Sequence, residues 1–340
     1  MRLTITIALI FLLVYSCKKA NSVHGEDIDR PISLELPDHF PPVIFPEDNA
    51  LTEKRIELGR RLFYDTRLSR DNSLSCASCH LQEASFTDQL NVSEGIEGRL
   101  SHRNAPTLGN VAYQSRLFVE GGVPNLEIQV LSPIGDPNEF DHDVNIIEAD
   151  LKADPLLNSL SQTAYNRNID MYVVTRAIAS FERTMITGNS KYDHFLLGQA
   201  QLTSHEELGR SLFFGSELNC STCHDGHNFT DGNYHNIGLY EEYEDEGRFR
   251  ITNDESDKGK MKTPSLRNVE LTAPYMHNGS IETLDQVLEH FISGGENHTN
   301  KSHLVVPLNL SAAEKSALLA FLKTLTDYEF INNPKFQPLN

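Results

Sequence analysis

Two copies of one short pattern constrain this chain more than any other feature. Residues 76–80 read Cys-Ala-Ser-Cys-His and residues 220–224 read Cys-Ser-Thr-Cys-His. Both match Cys-x-x-Cys-His, the attachment signature of c-type haem. Two thiols on one turn can each bond to a vinyl group of the same porphyrin, and the following histidine supplies the proximal nitrogen ligand of the iron. The pattern predicts two covalent haem c groups, held by Cys76, Cys79, His80, Cys220, Cys223 and His224.

Two other sites also use Cys-x-x-Cys pairs: a thioredoxin-like redox centre and one half of a zinc site. Neither requires a histidine directly after both pairs. The chain has 14 histidines among 340 residues, so chance places one after both pairs with odds of about 0.2%. The spacing therefore favours haem attachment over both alternatives.

An internal repeat precedes the two motifs. Residues 57–63 read ELGRRLF and residues 207–213 read ELGRSLF. Each lies at the end of an apolar-periodic stretch with a hydroxyl residue at its start, Thr52 or Ser204, which predicts a helix of about three turns leading into each motif. The repeat indicates a mainly α fold with two tandem haem domains and long loops.

Further helices are predicted over residues 169–188, over 281–292 with Ser280 as the cap, and over 311–325. Residues 225–262 are rich in Gly, Asp, Asn and Glu and are expected to form a long loop. A linker is predicted near 188–203. We therefore expect an N-terminal haem domain over 45–190 and a C-terminal haem domain over 191–340.

The N-terminus is typical of an export signal. Arg2 precedes an apolar run, Ile5 to Tyr15, which is too short to span a bilayer and ends at Ser16-Cys17. A small residue before a cysteine at this point resembles the bacterial lipoprotein signal. The alternative is an ordinary cleaved signal with an incidental cysteine. We expect a signal peptide over 1–16, a linker over 17–44 and a lipid anchor on Cys17, which places the protein in the periplasm or cell envelope.

The chain is acidic, with 29 Lys and Arg residues against 48 Asp and Glu residues and a formal net charge of -19. This balance makes nucleic acid an unsuitable partner. It favours encounter with a positively charged protein, although it also serves simply to keep an exported protein in solution.

Two Cys-x-x-Cys-His motifs with this flanking sequence resemble the bacterial di-haem cytochrome c peroxidase and MauG family over about residues 45–330. The stretches that carry the resemblance are 103–108 (RNAPTL), 131–139 (LSPIGDPNE), 181–187 (FERTMIT), 264–269 (PSLRNV) and 272–277 (TAPYMH). The resemblance implies two cytochrome c-like domains. It also implies that peroxide reacts at the N-terminal haem and that the C-terminal haem accepts electrons from a donor.

The same resemblance assigns individual residues. Glu139 matches the distal acid/base, a role that suits a carboxylate because cleavage of peroxide requires a proton to move between its two oxygens. Gln129 matches a distal amide and Phe118 an aromatic wall of that pocket. A calcium ion between the domains is implied by the list Asn104, Thr272 and Pro274, whose amide and carbonyl oxygens suit a hard cation.

The sequence departs from the family at the first haem. Relatives that need reductive activation carry a switchable histidine ligand where this chain has Ile96, and His102 lies out of register. We therefore expect an open first haem, as in MauG-like relatives. The family's tryptophan between the haems falls at Val119, and the chain has no tryptophan at all, which puts protein oxidation of the MauG kind in doubt.

The distal ligand of the second haem also departs from the family. Relatives place Met or Tyr where this chain has Phe291, which cannot bind iron. His290 is adjacent, but helical geometry turns it about 130° from the apolar face, which favours a solvent-facing histidine over a ligand. Met276, Met261 and His277 are the other candidates.

These features predict a peroxidase that reduces hydrogen peroxide to water with electrons from a small donor protein, a cytochrome c or a cupredoxin. A homodimer is the expected assembly. The alternatives are a MauG-like oxidase of a protein or small molecule and a plain di-haem electron carrier. Glu139 and an open first haem argue against the carrier, because carriers usually fill both axial positions of the iron.

Overall fold

The first helix, α1 (Glu53–Phe63), begins where the sequence predicts. In the computed structural model, which describes residues 29–339, the Thr52 side chain accepts a hydrogen bond from Arg55 N and caps the helix. The cap satisfies one of the N–H groups that a helix start leaves without a partner. The buried residues of α1 are Leu58, Gly59, Leu62 and Phe63.

The rest of the described chain is also mainly helical, as predicted. The helices that follow are α2 (Cys76–Cys79), α3 (Leu126–Gln129), α4 (Leu131–Gly135), α5 (Val144–Lys152), α6 (Pro155–Tyr165), α7 (Met171–Glu182), α8 (Lys191–Leu196), α9 (Ser204–Phe214), α10 (Cys220–Cys223), α11 (Phe249–Thr252), α12 (Leu284–Ser293), α13 (Ala312–Lys323) and α14 (Tyr328–Asn332). Two short antiparallel strands, β1 (Tyr234–His235) and β2 (Met261–Lys262), pair Tyr234 with Lys262.

Two helix crossings repeat the same contact. Gly59 on α1 packs so closely on α7 that a Cβ there would lie 1.8 Å from the Ala177 carbonyl oxygen. Gly209 on α9 meets α13 in the same way, and its Cβ would lie 1.9 Å from the Ala317 oxygen. Only glycine permits this approach of two backbones. The repeat seen in the sequence is therefore a repeat of structure.

Each crossing has its own apolar core. Phe63 and Phe181 belong to the first cluster, and Phe213 and Phe321 belong to the second. The C-terminal segment returns to the first cluster, because Phe330 of α14 and the later Phe336 pack there; hydrogen bonds from Tyr64 to the Phe336 carbonyl oxygen (2.6 Å) and from Gln82 to the Phe330 carbonyl oxygen (3.2 Å) hold it in place. The C-terminal segment thus packs against the apolar core of the first helix crossing.

Ion pairs also join segments that are distant in sequence. Arg103 binds Asp245 through two hydrogen bonds of 2.6 and 2.9 Å and also binds Glu120. Arg267 binds Asp193 through two hydrogen bonds of 2.9 Å, with both side chains buried. Buried charges of this kind are tolerated only when paired and hydrogen-bonded.

The helix predicted over 169–188 ends earlier, at Glu182. The prediction was wrong for residues 169–170, where Asp170 is the N-cap, and for the last six residues, whose far end binds a distant side chain. The N–H groups of Gly188 and Asn189 donate to Asp327 Oδ2, at 3.0 and 2.9 Å. A carboxylate distant in sequence thus replaces the carbonyls that would continue the helix.

Two predicted helix starts are also shifted. Helix α12 is capped by Thr283 rather than Ser280, because Thr283 and Gln286 form a reciprocal capping box. Helix α9 is capped by Thr203, so Ser204 is its first residue. The linker predicted near 188–203 contains α8, and the loop over 225–262 contains both strands and α11.

The predicted signal peptide and Cys17 lie outside the described residues. Within 29–339, no helix combines the length and the apolar character that a membrane span requires.

The α1–α7 crossing makes a prediction about stability. Gly59→Ala should lower the free energy of unfolding by about 1–3 kcal/mol, the usual cost of overpacking a core, because its Cβ meets the Ala177 backbone. Gly135→Ala is the matched control, since a Cβ there has no heavy atom within 4 Å. Chemical denaturation measures both. Equal stability of the two variants would contradict the close-contact account.

Candidate haem-binding and active site

The first motif forms a single helical turn. Helix α2 begins and ends at its two cysteines, and the Ser75 N–H donates to Ser78 Oγ at 3.0 Å, which closes the start of the turn. Both thiols are free and only partly exposed. Helix α10 presents Cys220 and Cys223 in the same way. Each turn thus offers two thiols three positions apart on one short helix, as attachment to one porphyrin requires.

The histidine after each turn is oriented by a backbone carbonyl. His80 Nδ1 lies 2.8 Å from the Phe86 carbonyl oxygen, and His224 Nδ1 lies 3.0 Å from the Phe229 oxygen. A carbonyl only accepts, so Nδ1 carries the proton and Nε2 keeps its lone pair. Burial lowers the pKa of both imidazoles and favours the neutral form. This is the usual arrangement of a metal-binding histidine.

The structure argues against the two alternatives for these cysteines. Burial raises the pKa of the Cys79 and Cys220 thiols to about 11, whereas a redox-active pair needs a lowered thiol pKa. In the described part of the chain, the one cluster that could share a metal ion is Cys223, Asp231 and His235, so the four motif thiols do not converge on a zinc site. Two thiols and a neutral imidazole on each turn fit haem c.

A cavity adjoins the first motif and brings the predicted site residues together. The cavity has a volume of about 60 Å³. Leu68, Ile134 and Phe140 contribute apolar walls. The chemically active side chains that line it are Cys76, Cys79, His80, Gln129, Glu139 and Glu182.

Glu139 is positioned by its backbone. Its N–H donates to the Asp136 carbonyl oxygen at 3.0 Å, and its own carbonyl accepts from Ile96 N at 2.9 Å. The residue before Ile96, Gly95, packs directly on the Asn138 carbonyl. Burial, with a smaller contribution from the negative charge of Asp136, raises the pKa of Glu139 to about 7. A carboxyl with this pKa can both accept and release a proton near neutral pH.

Two residues near the first motif do not line this cavity. Phe118 lies in a loop closed by a bridge between Leu117 and Val123, in a left-handed backbone conformation with φ of +61°. His102 is exposed, with Nε2 3.1 Å from the side-chain amide nitrogen of Asn138. Among the described histidines, His80 is the one that lines the cavity.

Near the second motif, His290 is not solvent-facing as helical geometry suggested. It is partly buried, and its Nε2 hydrogen-bonds to the Ile237 carbonyl oxygen at 3.1 Å, which occupies that nitrogen. Met276 lies in a loop closed by a Tyr275–Ile281 bridge, in a left-handed conformation with φ of +75°.

The residues assigned to calcium lie on two segments that meet. Asn104 N donates to the His277 carbonyl oxygen at 2.9 Å. Thr272 and Pro274 precede His277 in the same segment, and the peptide bond between Ala273 and Pro274 is cis. This hydrogen bond places Asn104 next to the segment that contains Thr272 and Pro274.

The residue that sequence reasoning missed at this site is Glu182. Its side chain lines the cavity although the residue is only 5% exposed, and its Oε2 has no hydrogen-bond partner. The sequence repeat could have identified Glu182, because the residue that follows the matching phenylalanine in the second half is Leu322. A polar residue where a repeat has an apolar one deserves a functional explanation.

The fold and the two sites define a di-haem protein of the c type, and comparison with known proteins agrees. The profile of the di-haem cytochrome c peroxidase family matches residues 53–201 and 203–330. The chain belongs to this family. Membership confirms the enzyme class expected from the sequence, a peroxidase with haem as its cofactor.

Individual relatives support both names used in the family. A cytochrome-c peroxidase, IdrP1, from Pseudomonas sp. (strain SCT) is 34% identical over 84% of this chain and 84% of its own length. The methylamine utilization protein MauG from Methylorubrum extorquens is 34% identical over 82% of this chain and 80% of its own. A crystal structure of a MauG-like protein associated with microbial copper homeostasis is 38% identical, covers 90% of this chain and 99% of that chain, and superposes with a TM-score of 0.87.

Because Glu139 and Gln129 line the cavity beside the first motif, we predict that the first motif carries the reactive haem. Cys76→Ala/Cys79→Ala should give a protein with one haem and no reaction with peroxide, because the proton-handling residues adjoin this motif. Cys220→Ala/Cys223→Ala should also lose one haem but should still bind peroxide. Haem content and stopped-flow absorbance after mixing with peroxide measure both properties. The reverse pattern would exchange the roles of the two haems.

Proposed function

We propose that this chain reduces hydrogen peroxide to two water molecules at the haem held by Cys76, Cys79 and His80. The reaction consumes two protons and two electrons, and an external donor supplies the electrons. The observation that carries the proposal is that Glu139 and Gln129 line the same cavity as the first motif. Proton-handling groups beside a haem site are what peroxide cleavage requires.

The haem iron, when bound, supplies the redox chemistry, and the protein supplies the proton transfer. Glu139 as a carboxylate takes the proton from one peroxide oxygen and returns it to the other, so that the second oxygen can leave as water. The Gln129 amide can hydrogen-bond to peroxide or water and orient it. The apolar walls of Ile134 and Phe140 restrict bulk water, which strengthens these polar interactions.

The first haem is proposed to have an open distal position. Ile96, in the register of the family's switchable histidine, is fully buried and has no lone pair to offer iron. His102 is exposed and lies beside Asn138 rather than in the cavity. Both observations support a site that needs no activating electron.

The second haem, held by Cys220, Cys223 and His224, is proposed to receive electrons. A small cytochrome c or a cupredoxin with a basic surface suits the net charge of -19, because opposite charges speed encounter. A MauG-like oxidase is less well supported, since Val119 replaces the tryptophan that relatives place between the haems. A plain electron carrier does not require an acid/base residue such as Glu139.

The finer organisation belongs to the same proposal. Two cytochrome c-like domains, over 45–190 and 191–340, are supported by the two matching helix crossings. Export by the signal over 1–16, a lipid anchor on Cys17 and a place in the periplasm or cell envelope suit haem attachment of this type, which takes place outside the cytoplasm. The proposed assembly is a homodimer.

A calcium ion between the halves is proposed at Asn104, Thr272 and Pro274. The hydrogen bond from Asn104 N to the His277 carbonyl oxygen supports it by joining the two segments. Amide, hydroxyl and carbonyl oxygens are suitable calcium ligands.

The role of Glu139 predicts both a rate and a pH dependence. Glu139→Gln should keep both haems but slow peroxide cleavage by about 10²–10⁴-fold, because the amide cannot accept the proton. The pKa of about 7 means that Glu139 is mostly protonated below pH 7 and cannot act as a base there. The rate of the native protein should therefore rise as the pH increases through 7, and that of the variant should not. Stopped-flow kinetics across pH 5–9 measure this, and an unchanged rate removes Glu139 from the mechanism.

The open first site predicts ligand binding without prior reduction. The fully ferric protein should bind cyanide or peroxide at once, and one of its two haems should give a high-spin ferric spectrum. His102→Ala should leave that spectrum unchanged, because His102 lies outside the cavity. If the native protein shows two low-spin haems and His102→Ala converts one to high spin, His102 is the switch.

A further inference from the structure

The cavity beside the first motif holds a second carboxyl, that of Glu182, the last residue of α7. The residue is 5% exposed, and its Oε2 has no hydrogen-bond partner. A buried polar group without a partner is costly unless something that enters the site satisfies it. Glu182 is therefore unlike the buried acids Asp193 and Glu127, each of which binds an arginine.

The repeat shows that packing does not require this carboxyl. Gly59 contacts Ala177 and Phe181 on α7, and Gly209 contacts Ala317 and Phe321 on α13. The residue after Phe181 is Glu182, and the residue after Phe321 is Leu322, which is 6% exposed. The same helix crossing thus has a leucine at this position in the second half. In the first half, which also contains Glu139, the position holds an acid.

Within residues 29–339, no lysine or arginine forms an ion pair with Glu182. The adjacent Arg183 binds Glu127 through two hydrogen bonds of 2.6 and 2.9 Å, and Asn49 donates to the same Glu127 at 2.8 Å. Burial raises the pKa of Glu182 to about 8. Arg183 lowers this pKa and Glu127 raises it, and both effects are smaller than that of burial. The other titratable groups around the cavity are Cys76, Cys79, His80 and Glu139. Glu182 therefore carries a proton at neutral pH.

We propose that Glu182 is a proton donor of the reaction cavity and holds one of the two protons that peroxide reduction consumes. This inference rests on the proposed function. Glu139 returns the proton that it takes, so the two protons in the balance must come from elsewhere. Glu182 releases its proton to the product oxygen, a second proton from solution completes that water molecule, and the two electrons come from the external donor. Solution then protonates the Glu182 carboxylate again.

The test uses the full di-haem protein, reduced beforehand and mixed with peroxide in a weakly buffered solution with a pH-indicator dye. In the native protein, proton uptake from solution should lag behind the absorbance change of the first haem, because Glu182 delivers its proton first. In Glu182→Gln and Glu182→Leu the haem change should slow by about 10-fold or more and the lag should disappear. Above about pH 8 the native protein should also lose its lag, since Glu182 is then ionised.

Two controls separate proton supply from folding. Glu329→Gln changes an exposed glutamate of α14 and should behave like the native protein. Haem content and the ferric spectrum show whether each variant keeps its site, and leucine is the residue that the repeat itself places there. If Glu182→Leu loses haem, the test rests on Glu182→Gln, because glutamine has nearly the same shape as glutamate.

The outcomes distinguish the two proposals. A native protein that does not react with peroxide overturns the proposed function. A reactive native protein with an unchanged rate and lag in Glu182→Gln overturns only the role of Glu182. A slower haem change without a lag, in a variant that keeps both haems, supports both.

Discussion

The contact between a glycine and a facing helix carbonyl is the constraint on which the rest of the structure depends. At Gly59 and at Gly209 two helix backbones approach so closely that no side chain fits between them. This approach aligns the aromatic residues on either side into a core, Phe63 with Phe181 and Phe213 with Phe321. The Cys-x-x-Cys-His turns follow the first helix of each crossing and are held in place by it.

Within that shared frame the two halves differ in chemistry. Both orient their histidine through a carbonyl of a phenylalanine, Phe86 or Phe229, so both present an unprotonated Nε2. Only the first half adds Glu182 where the second has Leu322. The first half thus buries an acid beside the cavity, at a cost in free energy, while the second half has an apolar residue at that position.

The loop that carries Glu139 depends on a segment distant in sequence. Gly95 packs on the backbone of Asn138, and Ile96 N donates to the Glu139 carbonyl oxygen. Ile96, which the resemblance aligns with a switchable histidine, thus supports the backbone of the proposed acid/base Glu139 in this chain. An apolar side chain there can remain buried, which keeps the support in place while leaving the iron site without a second histidine.

Much of the fold and part of the site could be predicted from local sequence. The haem-attachment cysteines and histidines, the helices after Thr52 and Ser311, and the mainly helical class all depend on spacing and periodicity over a few residues, which a sequence states directly. Glu139 and Gln129 required the resemblance to a family, and the cavity then brought them together. The helices and the helical class are confirmed because they depend on neighbours in the chain, and the roles of the site residues stay predictions.

Only the tertiary structure decided the rest, because the partners come from distant segments. The backbone after α7 is not helical at Gly188 and Asn189, whose N–H groups donate to the distant Asp327. His290 turns to the Ile237 carbonyl, which no helical periodicity encodes. Glu182 could be read as an ordinary helical acid until the crossing of α1 and α7 placed it inside the cavity and committed the neighbouring Arg183 to Glu127. Sequence determines which groups are available, and packing decides which of them are buried together in one cavity.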